Sequence, residues 1–229
     1  IGGKTGVDFD GYKNMVGAFK MPLLVYINLN TLMTLDDRQY FSGFAEVMKH
    51  GLIKDAEFYT WLIDNMYEIC ERNLETLEEL VYRSCSIKKA VVEKDPTEKG
   101  ERALLNFGHT IGHAIEKYMN FELTHGECIS LGAVAAAYIS WKRNMISMDE
   151  YYEVRDMYVP FYLPISIDKI EPKEILKLTK SDKKMEGNHI KFILLKRIGK
   201  AVIDETVTDS EILDAINEIY FDEEEDGHE

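Results

Sequence analysis

The chain has few of the residues that build disulfide scaffolds or membrane spans. Three of its 229 residues are cysteine, and Cys70, Cys85 and Cys128 stand singly, without a CxxC pair. An odd set of isolated cysteines argues against a disulfide framework and indicates a reducing compartment. No apolar run approaches the roughly 20 residues that cross a bilayer, and the N-terminal stretch IGGKTGVDFDGYKN lacks a basic-then-apolar leader pattern. We therefore expect a cytoplasmic protein with no membrane partner.

Positive charge is also scarce. The chain carries 27 Lys and Arg residues against 41 Asp and Glu residues, which gives a formal net charge of -14. Such a charge repels phosphate backbones, so we expect no nucleic-acid partner. The chain does have a 45% share of hydrophobic residues, which is ordinary for a globular protein, and it is long enough to bury a substantial core.

The spacing of apolar residues predicts a mainly helical fold. Apolar side chains recur at helical spacing over residues 56–72 and 74–94. The second of these helices should stop before Pro96, because the residue before a proline disfavours the helical conformation. Asp36 or Asp37 can cap a helix that follows, and Thr124 can cap another that is rich in small residues.

Two segments predict β structure. Residues 22–29, PLLVYINL, read as a short buried strand, and HIKFILLKRIGKAVID reads as a β-hairpin that turns near Gly199. We expect residues 1–35 to contain the GGKT and KN loops and the short strand. Residues 36–222 should form a helical domain, and residues 223–229 an acidic tail that frays.

Ionisable residues inside apolar helical segments point to a site. His109 and His113 share one helix face at i and i+4, and Glu46 and Lys49 are paired at i and i+3 among apolar neighbours. With His125, these residues could place two imidazoles and one carboxylate around a divalent metal ion with positions left open for substrate, a coordination that catalytic zinc uses. The residues alone leave open which two histidines are ligands, since HxxxH could itself chelate. Each histidine could instead be partly buried and bonded to backbone.

Lysines and arginines near glycine-rich or apolar segments suggest an anionic substrate. These residues are Lys4, Lys13, Lys88, Arg102, Lys183 and Lys184. The GGKTG sequence lacks the GxxxxGK[ST] spacing of a phosphate loop, so a nucleotide triphosphatase is not indicated.

Five motifs occur in a set order: IGGKTGVD, KNMVGAF, GFAEVMKHGLI, ALLNFGHTIGHAIE and THGECISLGAV. In this order and spacing they resemble the 3-dehydroquinate synthase family of the shikimate pathway, over most of the chain. The resemblance implies a mainly α fold, the multi-helix C-terminal domain of the dehydroquinate synthase-like fold, with a few short strands. In that family an NAD-binding, Rossmann-like α/β domain precedes the GGKT motif. We expect that domain to be missing here, with residues 1–35 a remnant of it and its linker and residues 36–222 the helical metal- and substrate-binding domain. We also expect this chain alone to be inactive.

The resemblance also implies a role for each matching position. Glu46, His109 and His125 match three ligands of zinc (or cobalt), which leaves His113 to handle protons. The positions matching catalytic or substrate-contacting residues are His113, Lys49, Asn106, Arg102 and Lys88. The sequence SDKK matches a further substrate-contacting loop, in which Lys183 or Lys184 reaches the substrate. A loop shared by cofactor and substrate contains Lys4, Lys13 and Asn14. A short segment that contacts NAD contains Thr31, Leu32, Met33 and Thr34.

The implied substrate is a phosphorylated sugar acid, 3-deoxy-D-arabino-heptulosonate 7-phosphate, and the implied product is 3-dehydroquinate. NAD would take up a hydride, phosphate would leave by elimination, and the hydride would return before an aldol closure. The complete enzyme is expected to be a homodimer. Two other functions remain open: a related sugar-phosphate cyclase, and a non-catalytic helical module that binds metal.

Overall fold

The computed structural model describes residues 1–9, 12–181 and 190–221, and this part of the chain is mainly helical, as predicted. Within it the α-helices are α1 (Asp37–Lys54), α2 (Ala56–Asp64), α3 (Met66–Cys70), α4 (Leu74–Lys94), α5 (His109–Tyr118), α6 (His125–Lys142), α7 (Met148–Asp156), α8 (Pro172–Ser181) and α9 (Asp209–Ile219). Short 3-10 helices cover Leu29–Thr34, Glu101–Asn106 and Val159–Phe161. The strands are β1 (Lys4–Phe9), β2 (Tyr12–Phe19), β3 (Phe192–Arg197) and β4 (Lys200–Asp204).

The core is built around α6. Small and branched side chains dominate this helix, and almost all of them are buried, including those of Ile129, Val134 and Ala136. A helix that is apolar on every side must be covered on every side. Accordingly, α6 packs against α1, α5, α7, α9 and β3.

Capping residues define where the site helices begin. The Asp36 side chain accepts a hydrogen bond from the backbone N–H of Gln39 at the start of α1. Thr124 and Glu127 form a capping box at the start of α6, as the position of Thr124 predicted. The helix predicted over residues 74–94 is confirmed, and it ends one residue before Pro96 at the C-cap Asp95.

The helix predicted over residues 56–72 is divided into α2 and α3 by Asn65. The Asn65 side-chain amide donates to the carbonyl oxygen of Trp61 at 2.8 Å, which is the kind of local side-chain bond that competes with helical hydrogen bonding. None of the described helices combines the length and apolar character needed to cross a membrane.

The hairpin predicted near Gly199 is confirmed. Strands β3 and β4 pair in antiparallel order, and Gly199 adopts a φ of 80° at the turn. Among the described residues, the two sheets each contain two antiparallel strands.

The strand predicted at residues 22–29 is wrong. This segment forms no strand, and it is exposed, with Leu23 fully open to solvent and Tyr26 82% exposed. The GGKT and KN segments were predicted as loops, but β1 begins at Lys4 of the first and β2 contains the second. A buried strand needs a neighbouring strand to pair its backbone and a core to cover its side chains, and no other described segment pairs with residues 22–29. The acidic tail at residues 223–229 lies outside the described residues.

Candidate metal and substrate site

Three helices bring one carboxylate and two imidazoles together. Glu46 lies in α1, whereas His109 and His125 are the first residues of α5 and α6. Oε1 of Glu46 is 3.3 Å from Nε2 of His109 and 3.4 Å from Nε2 of His125. Three residues from distant parts of the chain therefore converge on one point.

Close contacts between backbones permit this convergence. A Cβ atom added at Gly126 would lie 1.9 Å from the carbonyl oxygen of Ser42, and Gly132 is equally close to Gly108. Only a residue without a side chain allows these approaches. The backbone N–H of Gly126 also donates to Oγ of Ser42 at 3.0 Å, which fixes the start of α6 against α1.

Lys49 sets the orientation of the Glu46 carboxylate. Its side chain is buried, and Nζ donates to Oε2 of Glu46 at 2.5 Å and to the carbonyl oxygen of Leu105 at 2.6 Å. Burial alone would raise the pKa of Glu46, but Lys49 and the two imidazoles hold it well below its usual range. Burial lowers the pKa of Lys49, and Glu46 opposes that shift. Glu46 is therefore an anion whose Oε1 faces the histidines.

The ring of His109 has a defined proton position. Nδ1 lies 3.0 Å from the carbonyl oxygen of Phe107. A carbonyl oxygen only accepts, so Nδ1 carries the proton, and the neutral ring directs the lone pair of Nε2 towards Oε1 of Glu46. Burial and then the nearby Lys49 lower the pKa of His109 to about 4, which keeps the ring neutral at pH 7. Two electron-rich atoms thus face each other, an arrangement that a cation beside both would stabilise.

The donor set fits a divalent metal ion. Oε1 of Glu46 is buried and has no hydrogen-bond partner within the described part of the chain. Tetrahedral zinc with bonds of about 2.0–2.1 Å separates its ligands by about 3.4 Å, which matches the measured 3.3 and 3.4 Å. Two histidine nitrogens and one carboxylate oxygen also leave a fourth position open to a substrate, as in catalytic zinc sites.

His113 lies beside this group. Its ring centroid is 5.0 Å from that of His109 and 5.9 Å from that of His125. A second cluster of ligand atoms within 4.8 Å of one another joins His113, Glu116 and His125. The geometry therefore groups Glu46 with His109 and His125, and it places His113 next to them.

A carboxylate that the sequence did not single out joins two of the predicted substrate residues. Glu98 forms an ion pair with Lys4, and its Oε1 accepts a 2.9 Å hydrogen bond from Nδ2 of Asn106. Glu98 has a φ of 59°, in the left-handed region that few residues with side chains adopt. In the sequence it stands in a charged loop, PTEKGE, where nothing distinguishes it from a solvated side chain.

The turn that carries Glu98 is organised by Asp95. The Asp95 carboxylate accepts backbone hydrogen bonds of 2.7–3.0 Å from Lys99, Gly100 and Arg102. Arg102 is buried, and its guanidinium donates to the carbonyl oxygens of Pro96 and Gly2. These contacts of Arg102 are with backbone, and its contact with substrate stays a prediction.

Lys88 and the predicted NAD segment lie outside the three helices that carry Glu46, His109 and His125. Lys88 is partly buried in α4, and its charge contributes to the lowered pKa of Lys49. Thr31, Leu32, Met33 and Thr34 fall in the 3-10 helix Leu29–Thr34. Arg72 anchors that helix by donating to the carbonyl oxygens of Leu32 and Met33.

Four predicted site residues are described incompletely. Lys13 and Asn14 lie in β2, but their side chains are outside the described part of the structure. Lys183 and Lys184 lie outside the described residues altogether. Their contacts with cofactor or substrate stay predictions.

Solved structures share this fold. One is ValA, the 2-epi-5-epi-valiolone synthase of Streptomyces hygroscopicus subsp. jinggangensis with NAD+ and Zn2+ bound, which matches 96% of this chain and 61% of that chain with a TM-score of 0.88 and 27% identity. Another is 2-deoxy-scyllo-inosose synthase complexed with carbaglucose-6-phosphate, NAD+ and Co2+, which matches 94% of this chain and 62% of that chain with a TM-score of 0.82 and 26% identity. The fold is thus shared with synthases whose structures hold NAD+ and a divalent metal.

Sequence comparisons give the family. Residues 1–42 match the family model described as 3-dehydroquinate synthase N-terminal, and residues 43–185 match 3-dehydroquinate synthase C-terminal. Relatives named 3-dehydroquinate synthase are 46% identical in Acetivibrio thermocellus and 40% identical in Nitrosospira multiformis, over 93% and 95% of this chain. The chain belongs to the 3-dehydroquinate synthase family, which confirms the resemblance of the motifs. It spans 59% and 60% of the length of these two relatives.

Proposed function

We propose that this chain is the metal- and substrate-binding part of a 3-dehydroquinate synthase that uses NAD and zinc or cobalt. The reaction converts 3-deoxy-D-arabino-heptulosonate 7-phosphate to 3-dehydroquinate and phosphate. The convergence of Glu46, His109 and His125 beside the buried Lys49 is the observation that carries the proposal. The NAD+ and Zn2+ or Co2+ bound in the structural neighbours support the cofactors, and the names of the relatives support the reaction.

Glu46, His109 and His125 would hold the metal. When bound, the metal makes a substrate hydroxyl group more acidic, and NAD accepts a hydride and later returns it. Lys49 holds Oε2 of Glu46, so that Oε1 stays directed towards the two imidazoles. The Phe107 carbonyl holds Nδ1 of His109, so that Nε2 presents its lone pair to the same point.

His113 is the proposed proton acceptor. It lies one turn after His109 on the same helix face, with the two ring centroids 5.0 Å apart. A substrate hydroxyl group bound beside Glu46, His109 and His125 would therefore be within reach of the His113 imidazole, directly or through one water molecule. A positioned general base of this kind typically accelerates a reaction by about 100- to 10,000-fold.

Cationic and amide side chains would bind the anionic groups of the substrate. The carboxylate and the phosphate of the substrate need positive charge, and Lys4, Lys49 and Lys88 provide it in a chain of net charge -14. Glu98 contacts both Lys4 and Asn106, so it would hold these two donors in place. Arg102, Lys183 and Lys184 are proposed to complete substrate binding.

The residues proposed to contact NAD lie within the first 35 residues of this chain. Lys13, Asn14 and the four residues of the Thr31, Leu32, Met33 and Thr34 segment are proposed to contact NAD. The complete enzyme is proposed to be a homodimer.

Assays of the complete protein that contains this chain test the proposal. With NAD and Zn2+, the protein should release phosphate from 3-deoxy-D-arabino-heptulosonate 7-phosphate without net formation of NADH, because the hydride is returned. Absence of phosphate release, from protein that has bound both cofactors, would contradict the proposed reaction.

A related sugar-phosphate cyclase is the second candidate, because the structural neighbours are a valiolone synthase and an inosose synthase. Parallel assays with glucose 6-phosphate distinguish the two, since that substrate lacks the carboxylate. A preference for glucose 6-phosphate would favour the cyclase. Binding of Zn2+ without turnover of either substrate would favour a non-catalytic metal-binding module.

A further inference from the structure

The ring of His125 lies between two carboxylates. Nε2 is 3.4 Å from Oε1 of Glu46, and Nδ1 is 3.5 Å from Oε1 of Glu116. Glu116 belongs to α5, two turns after His109, so α5 brings both a member of the proposed metal site and this second carboxylate to the start of α6.

Burial of Glu116 requires a charge partner. Its side chain is 4% exposed, and the other buried residues of α5 are apolar, small or neutral. Burying an unpaired carboxylate costs several kcal/mol, whereas an apolar residue at the same place would pack without that cost. The ring of His125 supplies a partner for this carboxylate.

The two histidines of the proposed metal site differ in what faces their second nitrogen. Nδ1 of His109 meets a neutral carbonyl oxygen, that of Phe107, whereas Nδ1 of His125 meets the carboxylate of Glu116. Histidines that bind metals generally donate their other N–H to a carbonyl or carboxylate oxygen, which sets the tautomer and the rotation of the ring. In both rings Nε2 faces Glu46; the 3.0 Å contact of His109 is a hydrogen bond, whereas the 3.5 Å between Nδ1 of His125 and Glu116 is an ion-pair distance longer than a hydrogen bond.

We propose that Glu116 is a positioning residue that holds His125 as the Nδ1–H tautomer and thereby sets the metal affinity of the site formed by Glu46, His109 and His125. The inference rests on the proposed metal site. Glu116 does not touch the metal in this arrangement. It acts through the imidazole ring, whose two nitrogens connect the buried carboxylate on one side to the ligand position on the other.

A competing role for Glu116 is that of a ligand. Its carboxylate, a nitrogen of His113 and a nitrogen of His125 lie within 4.8 Å of one another, so they could hold a second ion. That arrangement would use Nδ1 of His125 as a lone-pair donor, whereas the positioning role requires a proton on the same atom. The two roles therefore predict different metal stoichiometries.

Titration with Zn2+ alone, in competition with a chelating dye, tests the positioning role. The wild-type protein should bind one Zn2+ ion, and Glu116→Ala should weaken its affinity by about 10- to 100-fold. Glu116→Gln should lose less, because its amide oxygen can still accept from Nδ1–H. Glu218→Gln is the control, since its carboxylate accepts from the Tyr151 hydroxyl group, and it should keep the wild-type affinity. Circular dichroism and thermal unfolding verify that each variant is folded.

Nitrogen NMR of His125 provides a readout that a general loss of packing would not change in the same way. At saturating Zn2+ we expect an Nδ1–H proton of His125 that exchanges slowly with water in the wild-type protein and in Glu116→Gln, and a faster exchange in Glu116→Ala. Unchanged Zn2+ affinity and an unchanged His125 spectrum in Glu116→Ala would overturn the proposal. Two Zn2+ ions in the wild-type protein and one in Glu116→Ala would overturn it in favour of the ligand role. If the wild-type protein binds no Zn2+, the proposed metal site itself fails.

Discussion

Gly132 of α6 faces the carbonyl oxygen of Gly108 so closely that a Cβ atom on Gly132 would lie 1.9 Å from that oxygen. His109 follows Gly108 directly and begins α5, and His125 begins α6. The distance between the two helices therefore controls the distance between these two imidazoles. Gly132, two turns after His125 in α6, thus sets the spacing of the proposed metal ligands.

Gly132→Ala should destabilise the protein by about 3 kcal/mol, because the backbone of α5 or α6 must move. It should also weaken Zn2+ binding, because His109 and His125 move apart. Gly43→Ala is the matched control: a Cβ atom there has no neighbour within 4 Å, so it should stabilise α1 by about 0.5–1 kcal/mol. Thermal unfolding of both variants checks the prediction. Equal stability of the two would show that the close contact between α5 and α6 does not exist.

His113→Ala in the complete protein should keep its metal and lose most activity. The reason is that a proton-transfer group typically contributes about 100- to 10,000-fold in rate, whereas ligands control metal occupancy. His109→Ala is the comparison and should lose the metal. Metal content and turnover are measured for both variants. Loss of zinc from His113→Ala as readily as from His109→Ala would contradict separate roles for the two histidines.

The ion pair between Arg143 and Glu211 should make stability depend on acid pH. Nε of Arg143 donates to Oε1 of Glu211 at 2.6 Å, and this contact lowers the pKa of Glu211 to about 2 although burial opposes the shift. The contribution is therefore complete above the ordinary carboxyl pKa of about 4.3 and is lost as the pH falls towards 2. Arg143→Met, which also removes the contacts of Arg143 with Asp204 and Thr206, should cost about 2 kcal/mol at pH 7.

Thermal unfolding between pH 7 and pH 3 checks this prediction. The difference in melting temperature between wild type and Arg143→Met should shrink as the pH falls. Arg155→Met provides the control, because its pair with Asp156 is more exposed and should contribute less than about 1 kcal/mol. A difference that stays constant with pH would contradict the assigned role of Glu211.

The 229-residue chain by itself should bind NAD weakly. Dinucleotide affinity comes largely from a glycine-rich turn and a helix N-terminus in a parallel α/β sheet, and both sheets within the described residues are antiparallel hairpins. Calorimetry on the isolated chain measures this affinity. Micromolar or tighter binding, about -8 kcal/mol or better, would mean that the cofactor site is misplaced.

The sequence predicted the elements whose stability is local. The helix over residues 74–94 and the hairpin at Gly199 were predicted from periodicity, a proline and a turn glycine, and both are confirmed. The strand predicted at residues 22–29 was wrong because an apolar run shows only that a segment suits burial, and these side chains have no partner among the described residues.

Some residues of the candidate site could likewise be predicted from the sequence, and others could not. Apolar surroundings singled out Glu46, Lys49 and the histidines, but only the resemblance to a family separated His113 from the proposed ligands. The sequence did not predict Glu98 as a site residue, because its contacts with Lys4 and Asn106 depend on a left-handed turn that Asp95 organises. The turn itself is local, but the ion pair between Glu98 and Lys4 joins two separate segments, and residue spacing along the chain does not reveal it.

Anomalous diffraction from crystals of the Zn2+-loaded protein tests the central claim most directly, because it locates the ion and its ligands together. We expect one zinc ion within about 2.3 Å of a carboxylate oxygen of Glu46 and of Nε2 of both His109 and His125, with His113 beyond that distance. An ion within about 2.3 Å of His113 in place of His125 would contradict the account.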